Sequence, residues 1–402
     1  MKQTIIAILF FTLFGYWLLG KSNAPLQVES HFGKDVYHKN DATATSSQES
    51  ATNVIIATST VAPGVVVTHI QTPEHVKAVY MSSWVAGTPS VRSRLIKLID
   101  DTELNSVVID VKDNTGEISW NGRVRDLDVL IKELHDKNIY VIARIASFQD
   151  PLYVKLHPEV AVTNVTTGKV WRDRKGVPWV DTGSRAMWEY LSAIGKESYA
   201  RGFDELNFDY IRFPTDGDLK SMRFPVSGEQ GLYDKRTIVR SFYKFLHDEF
   251  SPLAIPISGD LFGIIATNSN ETKTLGQDLG DGLTYFNYVA LMVYPSHFYA
   301  GTAGYQNPAA HPGEIITYST KGAIQVAIAT ASSTNSSSST LRVASSTLIA
   351  KLRPWYQDFN MGAVYTKEMV RAQMEAGYAQ GVNSWMLWDP ANKYTPSALR
   401  AQ

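Results

Sequence analysis

The sequence predicts a (β/α)8 barrel, or TIM barrel, that follows an N-terminal hydrophobic anchor and a disordered tether. Three observations predict this fold: short apolar runs rich in β-branched residues, amphipathic helical segments between them, and a length of 402 residues. Parallel strands that are buried on both faces have nearly continuous apolar sequences, because neither face meets water. Such strands alternating with helices favour a closed barrel over separate smaller domains.

The first residues are expected to lie outside the barrel. An unbroken apolar run extends from Thr4 to Gly20 between Lys2 and Lys21. It is just long enough to span a bilayer, and no clear A-x-A cleavage site follows it. We expect residues 1–21 to be an uncleaved membrane anchor or a cleaved signal peptide, and the body to be exported in either case. Residues 22–73, rich in Ser, Thr, Ala and Asn, are predicted to be a flexible tether.

The barrel is predicted to occupy residues 74–402. Between its strands, apolar residues recur at the spacing of one helix face, as in Leu127, Leu130, Ile131 and Leu134. The serine-rich patch from residue 332 to residue 346 is interpreted as a surface insertion within the barrel. A doubly wound open sheet is the alternative, but it is disfavoured because no glycine-rich phosphate loop follows the first strand. The eight predicted strands begin at Val76, Ser106, Ile139, Glu205, Ala254, Tyr288, Leu348 and Asn383.

Composition excludes several classes of function. A net charge of −1 gives no basis for nucleic-acid binding, which usually requires a basic surface. The absence of cysteine excludes disulfides, thiolate metal sites and a cysteine nucleophile. No cofactor is predicted. The nine Trp and twenty Tyr are compatible with core packing, and also with sugar binding by aromatic ring faces.

Polar residues follow or end nearly every predicted strand. The active site of a barrel of this type lies at the carboxyl ends of its strands, so these side chains are expected to converge. Several carboxylates at one mouth would repel each other and be costly to desolvate, which favours a functional explanation. The candidates for substrate binding are Asp110, Arg144, Asn207, Arg212, Tyr294, His297, Arg353, Trp355, Gln357, Trp388 and Asp389.

Strand periodicity selects a catalytic pair among these residues. Asn207 and Asp209 share one face of the fourth strand and are expected to point into the barrel. Arg144 on the third strand is expected to enter the mouth as a clamp for substrate or as a structural ion-pair partner. Asp209 and Asp260 lie on adjacent strands, close enough to serve as the two carboxylates of glycosidic bond cleavage. We expect Asp209 to be the nucleophile or base and Asp260 to be the acid.

The long loop after the third strand is also a candidate for function. It carries Trp171 and Trp179 between the turn residues Gly168 and Gly176. We expect a hairpin over the mouth in which one of these tryptophans offers a platform for sugar. The alternative is that both aromatic side chains only pin the loop to the barrel.

Seven segments of the chain closely resemble a family of bacterial proteins assigned as glycoside hydrolases. The family is regarded as a (β/α)8 barrel distantly akin to the α-amylase-like clan. The resemblance runs from about Val76 to Tyr394, and it implies catalytic carboxylates at Asp209 and Asp260. One departure is the short carboxyl end after the eighth strand, which implies a stunted eighth helix. The segments that carry the resemblance are ARIASFQDPLYVKLHPEVAV, GKVWRDRKGVPWVDTGSRAMWEY, GFDELNFDYIRFP, SGDLFG, VALMVYPSHF, LRPWYQDF and GVNSWMLWDPANKY.

Three functions remain open at this point. The leading one is a membrane-anchored or secreted glycosidase that acts on a polysaccharide, with the membrane as a partner through the N-terminal segment. The second is a carbohydrate-binding barrel without catalysis, because Asp is less usual than Glu as the acid. The third is a metal-dependent hydrolase or deacetylase using Asp110, Asp113 and His297, although no paired-histidine spacing supports a metal site.

Overall fold

Eight parallel strands close into a barrel, as the sequence predicts. The computed structural model describes residues 67–228, 234–334 and 338–402. Each barrel strand is paired with its two neighbours in parallel register, and the ring closes between the first and last strands. The strands are β1 (Lys77–Met81), β2 (Ser106–Lys112), β3 (Tyr140–Ala146), β4 (Glu205–Asp209), β5 (Ile257–Phe262), β6 (Tyr288–Met292), β7 (Trp355–Gln357) and β8 (Trp385–Trp388).

Helices surround the barrel and cover its strands. Their buried faces follow the predicted periodicity, and Leu127, Leu130, Ile131 and Leu134 are all buried on one helix. A short antiparallel ribbon of Thr163–Asn164 and Met222–Arg223 lies outside the barrel. The helices are α1 (Ser83–Ala86), α2 (Pro89–Asp100), α3 (Leu127–Asp136), α4 (Pro151–Leu156), α5 (Arg185–Ala200), α6 (Lys235–Phe250), α7 (Asn270–Leu275), α8 (Leu279–Tyr285), α9 (Pro312–Thr334), α10 (Ser338–Ala350) and α11 (Lys367–Tyr378).

One prediction for the region before β7 is wrong. The seventh strand begins at Trp355 rather than at Leu348, because Leu348 and its neighbours end α10. Proline at position 354 lacks the N–H that a continuing ladder would need, and the strand starts directly after it. The described residues of the serine-rich patch are helical and belong to the end of α9 and to α10. Hydroxyls there bond to the preceding turn, as Ser332 Oγ does to the carbonyl of Ile328 at 2.8 Å.

The carboxyl end of the barrel is short, as the resemblance implies. After β8, the regular structure is one 3₁₀ turn at Pro396–Ala398. None of the helices within the described ranges is both long and apolar enough to cross a membrane. The apolar run from Thr4 to Gly20 lies outside the described residues.

The segment before β1 covers the amino-end opening of the barrel. The amide of Ile70 donates to the Asp204 carboxylate at 2.7 Å, directly before β4. The hydroxyl of Thr72 lies 2.9 Å from that of Tyr140, at the start of β3. The ring of His69 stacks on Tyr199 with centroids 3.8 Å apart. The chain therefore enters the barrel at the face opposite the carboxyl ends of the strands.

Candidate active site

The guanidinium of Arg144 is the centre of the polar cluster at the carboxyl ends of the strands. Its Nη1 donates to Asp110 Oδ1 at 2.6 Å, and its Nη2 donates to Asp209 Oδ2. Its Nε lies 3.8 Å from Asp260 Oδ2. Carboxylates from three strands therefore surround one arginine, and the predicted convergence is confirmed. Arg144 enters the mouth and is also the ion-pair partner that the alternative interpretation expected.

The protonation of this cluster is set by burial. Asp260 is 2% exposed. Burial and the nearby charge of Asp209 raise the pKa of Asp260 to about 8, although Arg144 opposes the shift. Burial also raises the pKa of Asp110. For Arg144 itself, burial favours the neutral form, but the charges of Asp209 and Asp110 prevail and raise its pKa. Burial therefore favours the protonated form of Asp260, which lies beside the charged guanidinium of Arg144.

The backbone after β4 fixes the Asp209 carboxylate. The amide of Tyr210 donates to Asp209 Oδ1 at 2.6 Å, while Arg144 holds the other oxygen. Tyr210 has a φ of +54°, in the left-handed region that a residue with a bulky side chain rarely adopts. Strained backbone of this kind is common at active sites. The strand thus ends in a turn that aims a peptide N–H at the predicted nucleophile or base.

Two buried side chains hold Asp260. Asn207 Nδ2 donates to its Oδ1 at 2.9 Å, and Trp355 Nε1 donates to the same oxygen at 2.8 Å. Both side chains are buried, and the donor atoms that they turn towards the site are already engaged by Asp260. The prediction that these two residues bind substrate is wrong. They face the site as expected, but they orient the predicted acid.

The wall of the mouth contains a residue that sequence reasoning missed. Tyr80, near the end of β1, donates to Asp110 Oδ2 at 2.5 Å and stacks on Trp388 with centroids 4.1 Å apart. The guanidinium of Arg144 lies 5.0 Å from the centre of the Trp388 ring. Alternate residues of β1, such as Ala78 and Tyr80, point into the barrel. This alternation was the sequence signal that could have identified Tyr80.

Tyr294 and His297 lie at the same mouth, as predicted. Burial raises the pKa of Tyr294 well above its usual value, and the charges of Asp260 and Asp209 add to the shift. The rings of Tyr294 and His297 are 5.2 Å apart. Burial lowers the pKa of His297 to about 4, so its imidazole is neutral at physiological pH.

Arg212 is caged by aromatic rings beside the mouth. Its guanidinium lies 4.9 Å from the ring centres of both Trp179 and Phe262. Its Nη1 donates to the carbonyl of Phe213 at 3.0 Å. Burial lowers the pKa of Arg212. The side chain is half-buried, so its assignment to substrate binding stays a prediction.

Trp171 and Trp179 do not form the predicted sugar platform. They are 2% and 1% exposed, respectively. Trp171 Nε1 donates to the carbonyl of Asp218 at 2.9 Å, and Trp179 Nε1 donates to Asp173 at 3.1 Å. The alternative is therefore correct, because both side chains pin the loop to the barrel.

Arg353 and Gln357 are also removed from the substrate-binding set. Arg353 precedes β7, is 1% exposed and pairs with Glu205 at 2.8 Å, at the amino end of the barrel. Gln357 is 0% exposed. Its Oε1 accepts from Ser296 Oγ at 2.9 Å, and its Nε2 donates to the carbonyl of Phe359 at 2.9 Å. Gln357 is hydrogen-bonded through both of its amide atoms, and Arg353 is held by its ion pair with Glu205.

Asp389 lies after β8, but one of its oxygens is engaged by the turn that follows. Its Oδ1 accepts from the amide of Ala391 at 2.6 Å and from that of Lys393 at 3.3 Å. Burial raises the pKa of Asp389. Trp388 is half-buried and keeps part of its ring open at the mouth. Substrate contact remains a prediction for both residues.

The residues of the metal hypothesis are engaged separately. Asp110 pairs with Arg144, whereas Asp113 pairs with Arg123 at 2.8 Å. His297 contacts Ser296, with Nδ1 3.0 Å from its hydroxyl. No group of three His, Asp or Glu side chains with the geometry of a metal site occurs in the part of the chain that the structure describes. The ligand set that this hypothesis requires is not assembled.

The fold and the site together define a class of protein. A (β/α)8 barrel that gathers carboxylates at the carboxyl ends of its strands has the architecture of TIM-barrel hydrolases, and paired carboxylates are the groups that glycoside hydrolysis uses. The chain belongs to the family described as "Putative glycosyl hydrolase domain", whose model matches residues 78–394. The resemblance seen in the sequence is confirmed, and the chain belongs to a family assigned to the glycoside hydrolases.

Solved structures with this fold include several glycoside hydrolases. The PgaB (BpsB) glycoside hydrolase domain from Bordetella bronchiseptica superposes with a TM-score of 0.54 at 13% identity, over 82% of this chain and 99% of that chain. A hypothetical protein from Ruminiclostridium thermocellum is 33% identical, with a TM-score of 0.40, over 45% of this chain and 96% of that chain. No curated protein matches the chain. The PgaB likeness shows the fold alone.

Proposed function

We propose that the barrel cleaves glycosidic bonds of an exported polysaccharide or envelope glycan, with Asp260 as the acid and Asp209 as the nucleophile or base. One observation carries the proposal: two carboxylates in unlike environments flank the guanidinium of Arg144. A pair of titratable groups whose surroundings favour different protonation states is the arrangement that acid and base roles require.

Asp260 has the properties of a general acid. Its Oδ1 accepts two hydrogen bonds, from Asn207 and Trp355, which leaves Oδ2 to carry the proton. In the reaction, that proton passes to the glycosidic oxygen while the bond to the anomeric carbon breaks. The electron pair of that bond stays on the departing oxygen, so protonation removes the need to expel an alkoxide.

Asp209 supplies the opposite role. Its carboxylate is oriented by Arg144 and by the Tyr210 amide, so it needs little reorganisation to meet positive charge at the anomeric carbon. It either attacks that carbon or accepts a proton from the attacking water. Both routes are compatible with carboxylates from adjacent strands.

The proposed location rests on the N-terminal sequence. The apolar run from Thr4 to Gly20 supports export, with the barrel held at a membrane or released from it. A glycan outside the membrane is the substrate that an exported glycosidase would meet. The half-buried ring of Trp388 at the mouth also supports a glycan substrate.

A carbohydrate-binding barrel without catalysis is the second candidate. The observation that favours it is the low exposure of the carboxylates, 7% for Asp209 and 2% for Asp260. Such a protein would bind glycan at the mouth without turnover. Kinetic measurements on the acid variant separate the two functions.

Replacing Asp260 with Asn is expected to lower kcat by about 10²–10⁴-fold on any polysaccharide that the wild type cleaves, because the proton donor is lost. Wild-type kcat should fall as the pH rises through about 8, where Asp260 loses its proton, and this limb should be absent from Asp260→Asn. The measurement is release of reducing ends from a polysaccharide panel between pH 5 and pH 9. The exposed variant Asp248→Asn is the matched control.

Thermal unfolding of the same proteins provides a second readout. Because folding raises the pKa of Asp260, its contribution to stability is present at low pH and is lost as the pH rises towards 8. The Asn variant should lose less stability than the wild type over that range. Turnover that survives in Asp260→Asn with an unchanged pH profile would remove Asp260 from the mechanism. Glycan binding without turnover in the wild type would favour the second candidate.

A further inference from the structure

A second open site lies on the same face of the barrel. A groove of about 840 Å³ is formed by the segments that follow β1, β2 and β3, together with α4 and α5. Its lining includes Trp84, Gly116, Arg123, Leu156 and Tyr190, and neither of the proposed catalytic carboxylates. Sites of about 300–1,000 Å³ hold ligands of drug size, which corresponds to a short oligosaccharide.

Trp84 is the most prominent side chain of this groove. It is 67% exposed, although tryptophan is usually well buried. The guanidinium of Arg123 lies 4.4 Å from its ring centre. Arg123 is itself fixed by Asp113 at 2.8 Å. Leu156, on the groove's lining, is 69% exposed. An exposed apolar group of this kind beside a cleft indicates a binding surface.

The groove lies beside the candidate active site, on loops that follow neighbouring strands. Trp84 lies in α1, which follows the strand that carries Tyr80. A Cβ on Gly116 would lie 2.1 Å from Asp150 Oδ1, so the groove floor is in direct contact with Asp150. Asp150 pairs at 2.9 Å with Lys112, the last residue of β2. One layer of side chains therefore separates the groove from the strand ends.

We infer that this groove binds a distal segment of the glycan chain whose cleavage occurs at the mouth, with a sugar ring stacked on Trp84. The inference rests on the proposed function and specifies its substrate as a chain long enough to reach both places. Glu117, Asn121 and Arg123 supply acceptors and donors for hydroxyl groups around the aromatic face. Because Arg123 is paired with both Asp113 and Glu117, its charge is not free to attract an anionic glycan, and the groove suits a neutral sugar.

The test compares long and short glycans in full-length protein that carries Asp209→Asn to prevent turnover. The probes are hexasaccharides and disaccharides of β-1,4-linked N-acetylglucosamine, β-1,4-linked glucose and α-1,4-linked glucose, with affinity measured by calorimetry. Trp84→Ala is expected to weaken binding of a hexasaccharide by roughly 5- to 30-fold and to leave the disaccharide unchanged. Tyr318→Ala, an exposed aromatic on α9 that does not line the groove, is the control and should change neither.

Several outcomes would overturn the inference. These are unchanged hexasaccharide affinity in Trp84→Ala, an equal loss for the disaccharide, or no binding of any hexasaccharide. Unchanged affinity together with altered sedimentation would assign the groove to a second copy of the chain. Hexasaccharide binding through Trp84 without turnover in the wild type would retain this inference while the proposed function fails. If turnover is lost in Asp209→Asn but Trp84→Ala binds the hexasaccharide as tightly as the control does, the proposed function is retained and this inference fails.

Discussion

Replacing Asp209 with Asn is expected to reduce turnover of every glycan that the wild type cleaves by about 10⁴-fold or more. General acid–base catalysis alone contributes about 10²–10⁴-fold. Asp209 would add a negative charge that faces the positive centre in the transition state, and removal of such a preorganised group typically costs a further 10²–10³-fold or so. The measurement is kcat and KM on the polysaccharide that the wild type cleaves fastest.

The same variant has a second, independent consequence. The charge of Asp209 contributes to the raised pKa of Asp260, so Asp209→Asn should lower the pKa of Asp260 from about 8. Titration of the carboxyl groups by NMR would detect this change without any substrate. Asp248→Asn serves again as the exposed control. Full turnover in Asp209→Asn would exclude Asp209 from catalysis, and an unmoved Asp260 pKa would show that the two carboxylates are not close in solution.

Replacing Arg144 with Met is expected to destabilise the fold by about 3–5 kcal/mol, because removal of one partner leaves buried carboxylates without compensation. Asp110 and Asp209 both lose a hydrogen-bonded cation, and Asp260 loses a nearby one. Because Arg144 lowers the pKa values of Asp110 and Asp260 in the wild type, both values should rise in the variant, which should be closest to the wild type at low pH. The loss should grow as the pH increases. Urea unfolding at pH 5 and pH 8 measures both effects.

Arg94→Met is the matched control for this prediction. Arg94 is exposed on α2, and surface substitutions usually change stability by no more than about 0.5 kcal/mol. A loss in Arg144→Met that is no larger than in the control would mean that the carboxylates are solvated or protonated in the wild type. An equal loss of stability at both pH values would contradict the charge argument and leave the lost packing of Arg144 as the explanation.

The sequence predicted the barrel because its strands are buried on both faces. Seven of the eight strand positions follow directly from apolar β-branched runs, and the face shared by Asn207 and Asp209 follows from strand periodicity. The prediction of the seventh strand failed because its local sequence was ambiguous. The run from Leu348 is apolar on a helix face as well as on a strand, and short apolar runs do not distinguish the two.

The sequence indicated which strands carry the candidate site residues, but it did not indicate how deeply each side chain is buried. Arg353 and Gln357 come from the region of β7, but pairing with Glu205 and Ser296 buries them completely. Burial of this kind depends on partners distant in sequence, which periodicity cannot supply. Trp179 shows the same limit, since an aromatic residue in a long loop can pin the loop as readily as bind a ligand.

The covered opening at the amino end of the barrel leaves the carboxyl end as the face at which substrate would enter. Ile70 and Thr72 hold the incoming chain against the underside of the strands, so any attachment upstream pulls on that side. A substrate that enters at the rim therefore approaches from the end of the barrel opposite the incoming chain.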